Sequence, residues 1–241
     1  MALVPDRWSA ILAMLGSACL LAPSLAVTMA TTLVGEGNAM FQVIALCMQQ
    51  LLWGSLASGH LFCNLRLSRY ALGWPPWPGS DDVCLGALAG VTLAGVGAVA
   101  TWLGRQAVAI FVGPGRALAI YYREQAPLSG LLRYESSAWT LLLLLGTVVI
   151  VVPVCEELFF RGYLYAALKA HLGGHALWVN SVIFAALHFY VVQGLSVFLM
   201  ALGLTVLYER RGSLWTSIVA HATVNTVVAS LVLFQRFLVK G

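Results

Sequence analysis

Charge is what this sequence has least of: 9% of its 241 residues are Asp, Glu, Lys or Arg, against about 25% in an ordinary globular chain. With 61% of the residues hydrophobic, no sizeable soluble domain can be built, and the class that remains is a polytopic membrane protein. The formal charge of +4 is spread over short connecting segments. That spread argues against nucleic acid as a partner and for anionic lipid headgroups. Cysteine is scarce as well. Cys19, Cys47, Cys63, Cys84 and Cys155 are odd in number and form no C-x-x-C pair, so they read as small buried hydrophobes, neither a disulfide framework nor a thiolate metal site. No internal repeat and no low-complexity tract is visible.

What is present is a succession of apolar runs. The N-terminal one, Trp8 to about Val34, could be mistaken for a signal peptide, but it is long enough to span and is read as a retained first span. A second runs from about Ala39 to Cys63. A proline- and tryptophan-rich interfacial loop follows, from Asn64 to Asp82. Val83 to Leu103 is a third span, rich in small residues that permit close helix approach. Residues 104–136, with Arg105, Arg116, Arg123 and Arg133 around Gly113-Pro-Gly115, read as a surface-lying amphipathic segment. The fourth span begins near Ser137 and ends near Ala170, and it must tilt, kink or project because its length exceeds the hydrocarbon core. Fifth, sixth and seventh spans cover about Ala176–Val192, Gly194–Tyr208 and Ser213–Phe234. The expected architecture is an all-α transmembrane bundle, one integral membrane domain. Residues 1–136 supply N-terminal spans and the interfacial segment, and residues 137–241 a catalytic core.

The fourth span carries the anomaly. Glu156 and Glu157 are adjacent in a run otherwise apolar enough for a membrane, where one acidic side chain at the centre costs about 2.5 to 3.5 kcal/mol even on lenient scales. Neighbours on a helix point about 100° apart and residues four apart share a face, so Glu157 stacks with Arg161 and is neutralised by it. Glu156 faces a different stripe without a local countercharge, which makes it the candidate base. Pro153 cannot donate to the carbonyl of Val149 and loosens the helix beside the acids.

Two of the five histidines, His188 and His221, fall inside apolar runs. Counted from the membrane face near His171 and Arg210, Glu156, His188, His221 and Asn225 lie roughly 12 to 21 Å deep, one layer within the error of the boundaries. His221 and Asn225 share a helix face, as do Phe184 and His188. A carboxylate, two imidazoles and an amide at one depth suggest hydrolysis: a Glu with a neutral His can hold and deprotonate water, and a His with an Asn can donate to an oxyanion. The zinc pattern H-E-x-x-H is absent. Glu156, His188 and His221 could still ligate a divalent ion such as zinc, although no cofactor is favoured. A proton-coupled transporter would also bury Glu, His and Arg in its spans, but no paired repeat halves with broken helices are seen.

These residues resemble the CPBP intramembrane protease family of CAAX prenyl endopeptidases and bacteriocin-processing enzymes. Its motifs E-E-x-x-x-R, F-x-x-x-H and H-x-x-x-N occur in order as Glu156-Glu157-Leu-Phe-Phe-Arg161, Phe184-Ala-Ala-Leu-His188 and His221-Ala-Thr-Val-Asn225. The resemblance covers about residues 137–235; the first 136 residues share only their helical spans. It implies a bundle of about seven to eight helices around an intramembrane cavity. Glu156 and His188 would activate water, His221 and Asn225 would stabilise the oxyanion, and Glu157, Arg161 and Phe184 would support them. The implied substrate is a membrane-anchored protein or peptide, and the implied location is a bacterial inner membrane. Some members of the family act as scaffolds without proteolysis. With the N-terminus inside, Arg7, Arg66, Arg69, Lys169, Arg210 and Arg211 fall on the cytoplasmic side, and the site is expected to open there; the arginines between residues 105 and 133 run against that assignment.

Overall fold

The computed structural model describes residues 39–59, 68–75, 77–134 and 137–240. The expected first span, the second span's end with His60 and Cys63, and Arg7, Cys19 and Arg66 lie outside the described residues.

Among the described residues the protein is a bundle of seven helices without strands. Helix α1 is Ala39–Ser58, α2 Ser80–Val112 and α3 Pro114–Tyr134. Helix α4 is one unbroken helix of five consecutive parts, Ala138–Gly146, Thr147–Val151, Val152–Glu157, Leu158–Tyr165 and Ala166–Leu172. It is followed by α5, Ala176–Ala186, α6, Gly194–Arg211, and α7, Leu214–Lys240. Among the described residues three stretches are long and apolar enough to cross a membrane: Ser80–Val112, Ala138–Ala186 and Leu214–Arg236. The chain is an integral membrane protein of helical type.

Helix α4 follows the sequence closely. Ser137 caps it, its hydroxyl accepting from the amide of Thr140 at 3.4 Å. At about 1.5 Å per residue α4 is roughly 50 Å long. It ends where Gly173 adopts a φ of 53°, beyond Leu172. The proline's effect is spread out: Thr147–Val151 and Leu158–Tyr165 are wound as π-helix, flanking the α-helical turn Val152–Glu157 that holds both acids. The small residues of α2 do what their size allows. A Cβ on Gly90 would fall 2.5 Å from the carbonyl oxygen of Ala220, so α2 and α7 touch backbone to backbone.

Three boundaries differ from the sequence reading. The third span extends beyond Leu103 to Val112. Residues 104–136 are then no single surface segment: a break of one residue at Gly113, whose φ of 84° suits glycine, separates α2 from α3, and Pro114 opens the new helix where its missing N–H is of no consequence. Helix α3 packs on α2 and α7 and reaches the turn before α6. The fifth span is the third correction. Helix α5 has 11 residues and stops at Ala186, so it is about 16 Å long, and His188 sits in the turn after it instead of inside a helix.

The helix ends sort to two faces. At one, the side chains of Lys169 and Glu209 pair, the Tyr208 hydroxyl donates to the carbonyl of Leu72, the amide of Leu214 donates to Gly73 and the indole of Trp215 to Pro75. At the other, Glu124 meets residues 191–193 and Arg236 donates to the carbonyl of Leu132. Basic residues stand toward both: Arg69, Lys169, Arg210 and Arg211 at the first, Arg116, Arg123 and Arg236 toward the second.

A candidate active site on helix α4

Glu157 and Arg161 are both fully buried, and their contact spans 2.7 Å from Arg161 Nη1 to Glu157 Oε1, the pair expected from their spacing. Arg161 also donates through Nη2 to the carbonyl of Ala201 on α6 at 3.0 Å, and its guanidinium lies 5.0 Å from the ring centre of Phe184 on α5. One cation thus ties α4 to two neighbouring helices.

The same Glu157 oxygen accepts from Nδ1 of His221 on α7 at 2.8 Å. A carboxylate that already binds Arg161 acts as an acceptor, so Nδ1 carries the hydrogen and Nε2 is turned to the other side. What Nε2 faces is Glu156: the distance from His221 Nε2 to Glu156 Oε2 is 3.9 Å, too long for a hydrogen bond. Glu156 is 8% exposed and His221 3%. Glu156 Oε1 accepts from Gln50 Nε2 at 3.3 Å, while Glu156 Oε2 is without a hydrogen-bond partner among the described residues. One oxygen is held and the other is presented.

Around these groups stands an aromatic wall. Trp53 of α1 packs on Phe159 and Phe160, with ring centres 5.0 and 5.8 Å away, and Phe160 meets Phe184 edge-on at 4.7 Å. Phe184 is fully buried and touches both imidazoles, its ring centre 4.8 Å from that of His188 and 6.3 Å from that of His221. Nδ1 of His188 lies 2.8 Å from the carbonyl of Phe184. A carbonyl accepts only, so the hydrogen sits on Nδ1 and Nε2 is the nitrogen left for another partner. Asn225, one turn beyond His221, donates through Nδ2 to the carbonyl of Val148 in the first π-helical part of α4 at 2.8 Å. Since the amide nitrogen has two hydrogens, this bond fixes its orientation and leaves one donor over.

The seven residues named from the sequence therefore fall on α4, α5, the turn after α5, and α7, with Phe184 in contact with Arg161, His188 and His221. The reading did not foresee Glu157 as the acceptor for His221, nor Gln50. Gln50 is the one buried polar residue that α1 brings to the acids, and the Gln49-Gln50 pair in a mostly apolar run was its only signal. Cys155 is buried against α1; a Cβ on Gly54 would lie 2.7 Å from its sulfur. Among the described residues no three His, Cys, Asp or Glu side chains are grouped so as to hold a metal ion.

Residues 138–227 match the profile of the family described as type II CAAX prenyl endopeptidase, Rce1-like. Over 91 residues the chain is 33% identical to the uncharacterized protein YpbD of Bacillus subtilis, an overlap of 36% of this chain and 44% of that protein. The chain thus spans less than half the length of this relative. No solved structure matches it.

Proposed function

From the premise that residues 138–227 belong to the type II CAAX prenyl endopeptidase, Rce1-like family, we propose that the chain is an intramembrane endopeptidase using water activated by Glu156. The observation that carries this is the pairing of a buried, singly tethered carboxylate with an imidazole: Glu156 Oε2 has no hydrogen-bond partner among the described residues and looks across 3.9 Å to His221 Nε2. A gap of that size beside a polar group suits a bridging water or a substrate oxygen.

In the proposed reaction, water bound to Glu156 Oε2 and to the lone pair of His188 Nε2 gives its proton to Glu156 as its oxygen attacks the peptide carbonyl carbon. The oxyanion accepts from the free N–H of Asn225 and from Nε2–H of His221. Collapse breaks the C–N bond, and Glu156 returns the proton to the leaving amine. Arg161 and Glu157 orient His221 as the acid of a catalytic triad orients its imidazole. No metal takes part, in keeping with a residue set that supplies hydrogen-bond donors as well as ligands.

The substrate class is a peptide bond near the C-terminus or membrane segment of a membrane-anchored protein or peptide, met within the lipid bilayer. The setting is the cytoplasmic membrane of a bacterium. Residues 137–241 supply the catalytic core, against which helices α1, α2 and α3 pack. The test incubates the purified full chain in lipid nanodiscs with a panel of prenylated and unprenylated membrane peptides and identifies fragments by mass spectrometry. New termini at one defined bond are expected. Intact peptides across the panel would refute the proposal.

A further inference from the structure

We propose that Glu124, on α3 and outside the stretch that matches the family, is a positioning residue that clamps the turn carrying His188. One of its carboxylate oxygens accepts from the backbone amides of Val191 at 2.6 Å and Val192 at 2.9 Å, and the other from the amide of Gln193 at 3.0 Å. These N–H groups lead into α6, whose N-cap is Gln193, and a helix start has no carbonyls of its own to offer them. An acid there also complements the helix dipole. The neighbouring Gln125 reinforces the contact, its amide donating to the side-chain oxygen of Gln193 at 3.4 Å and to the Tyr121 hydroxyl at 2.9 Å.

The turn so held is short and strained. The amide of His188 donates to the carbonyl of Ala185 at 3.2 Å and that of Phe189 to Ala186 at 3.1 Å, after which Phe189 takes a φ of 54°. A bulky non-glycine residue in that region persists only where its surroundings over-determine the backbone. On the α5 side the determinants are local: the Nδ1 bond to Phe184 and the ring contact with it. On the α6 side the anchor is Glu124. Tyr190, between the two, packs its ring 5.8 Å from that of His188. Without the clamp, residues 189–193 lose the acceptor for three amides, the strained φ relaxes, and His188 leaves the position from which Nε2 can hold water.

The activity arm of this inference rests on the peptidase reading; its structural arm does not. Three forms of the full chain in nanodiscs are compared: unaltered, Glu124→Ala, and Glu124→Gln, which keeps one carbonyl acceptor at the same reach. Amide exchange of residues 189–194 is followed by mass spectrometry, together with the rate at which diethyl pyrocarbonate modifies His188 and His221. In Glu124→Ala, exchange across 191–193 should rise at least about tenfold and His188 should be modified several-fold faster, while His221 is unchanged. Glu124→Gln should recover part of both. On any peptide that the unaltered chain cleaves, kcat should fall in Glu124→Ala by about ten- to a hundredfold with KM nearly constant, because misplacing a catalytic group weakens transition-state interactions and leaves ground-state binding. Unchanged exchange at 191–193, unchanged His188 reactivity, or a loss of activity carried by KM alone would overturn the inference. If the unaltered chain cleaves nothing, the peptidase reading fails, and exchange with His188 reactivity still decides the clamp.

Discussion

Breaking the buried pair between Glu157 and Arg161 should cost more stability than any other single change to a polar residue of the site. Both side chains have no solvent exposure, and three helices meet at Arg161 through Glu157, the carbonyl of Ala201 and the ring of Phe184. In Glu157→Gln the guanidinium keeps its hydrogen-bonding neighbours and loses its counter-charge, and His221 loses the charged acceptor that fixes its Nδ1 hydrogen. In Arg161→Met the acid is left with His221 alone. Removing one partner of a buried pair costs about 3 to 5 kcal/mol, chiefly because the other charge stays buried. At about 2 to 4 °C per kcal/mol for a chain of this size, each single variant should melt about 6 to 20 °C lower. The double variant removes both charges and should recover most of the loss, since similar apolar or neutral volume in place of a buried pair is often tolerated. Thermal melts of the three variants in one detergent, read by intrinsic fluorescence, measure this. Single variants that melt within about 2 °C of the unaltered protein, or a double variant as unstable as the sum of the singles, would refute the reasoning.

Gln50→Leu removes the 3.3 Å bond to Glu156 Oε1 at about constant volume; kcat should drop by about tenfold while the melting temperature moves little, a neutral donor at that distance being worth about 1 kcal/mol. A fall in stability without a fall in kcat would show Gln50 to be only a packing residue. Activity should persist in EDTA and phenanthroline; a loss reversed by one added metal would replace the metal-free reaction with a metal-dependent one. Cys155→Ala should keep turnover within about threefold, because the thiol lies against Gly54 in the α1 and α4 contact, and inactivation without unfolding would make it a nucleophile candidate.

Much of the site could be read from local spacing, and the misses share one cause. The Glu157 and Arg161 pair is a contact within one helix, so a separation of four residues was enough to find it. The stop at Gly173 follows from a residue that tolerates a positive φ, whereas the contacts of Phe184 with Arg161 and His221 join separate helices and leave no local spacing to read. The end of α5 at Ala186 was hidden because Leu187, Phe189, Tyr190, Val191 and Val192 continue the apolar run. The group that accepts the amides of Val191, Val192 and Gln193, Glu124, is 67 residues away from the first of these three. Gln50 reaches Glu156 across 106 residues of chain. Neither leaves a periodic trace, since in a chain this apolar a single polar residue on another helix can decide a geometry that hydropathy does not record. Likewise, the His221 contact with Glu157, and not Glu156, depends on how α7 is rotated against the α-helical turn of α4 that holds both acids, a matter of packing between helices.

The central claim is that Glu156 takes the proton of the attacking water, and single-turnover cleavage of one peptide by the unaltered chain and by Glu156→Gln tests it most directly. The substitution keeps the side chain's shape and a partner for Gln50 while removing the base. The account predicts a rate lower by at least about a thousandfold with the melting temperature and peptide binding preserved, in the range that loss of a general acid-base group can reach. Turnover of Glu156→Gln within about tenfold of the unaltered chain would contradict it.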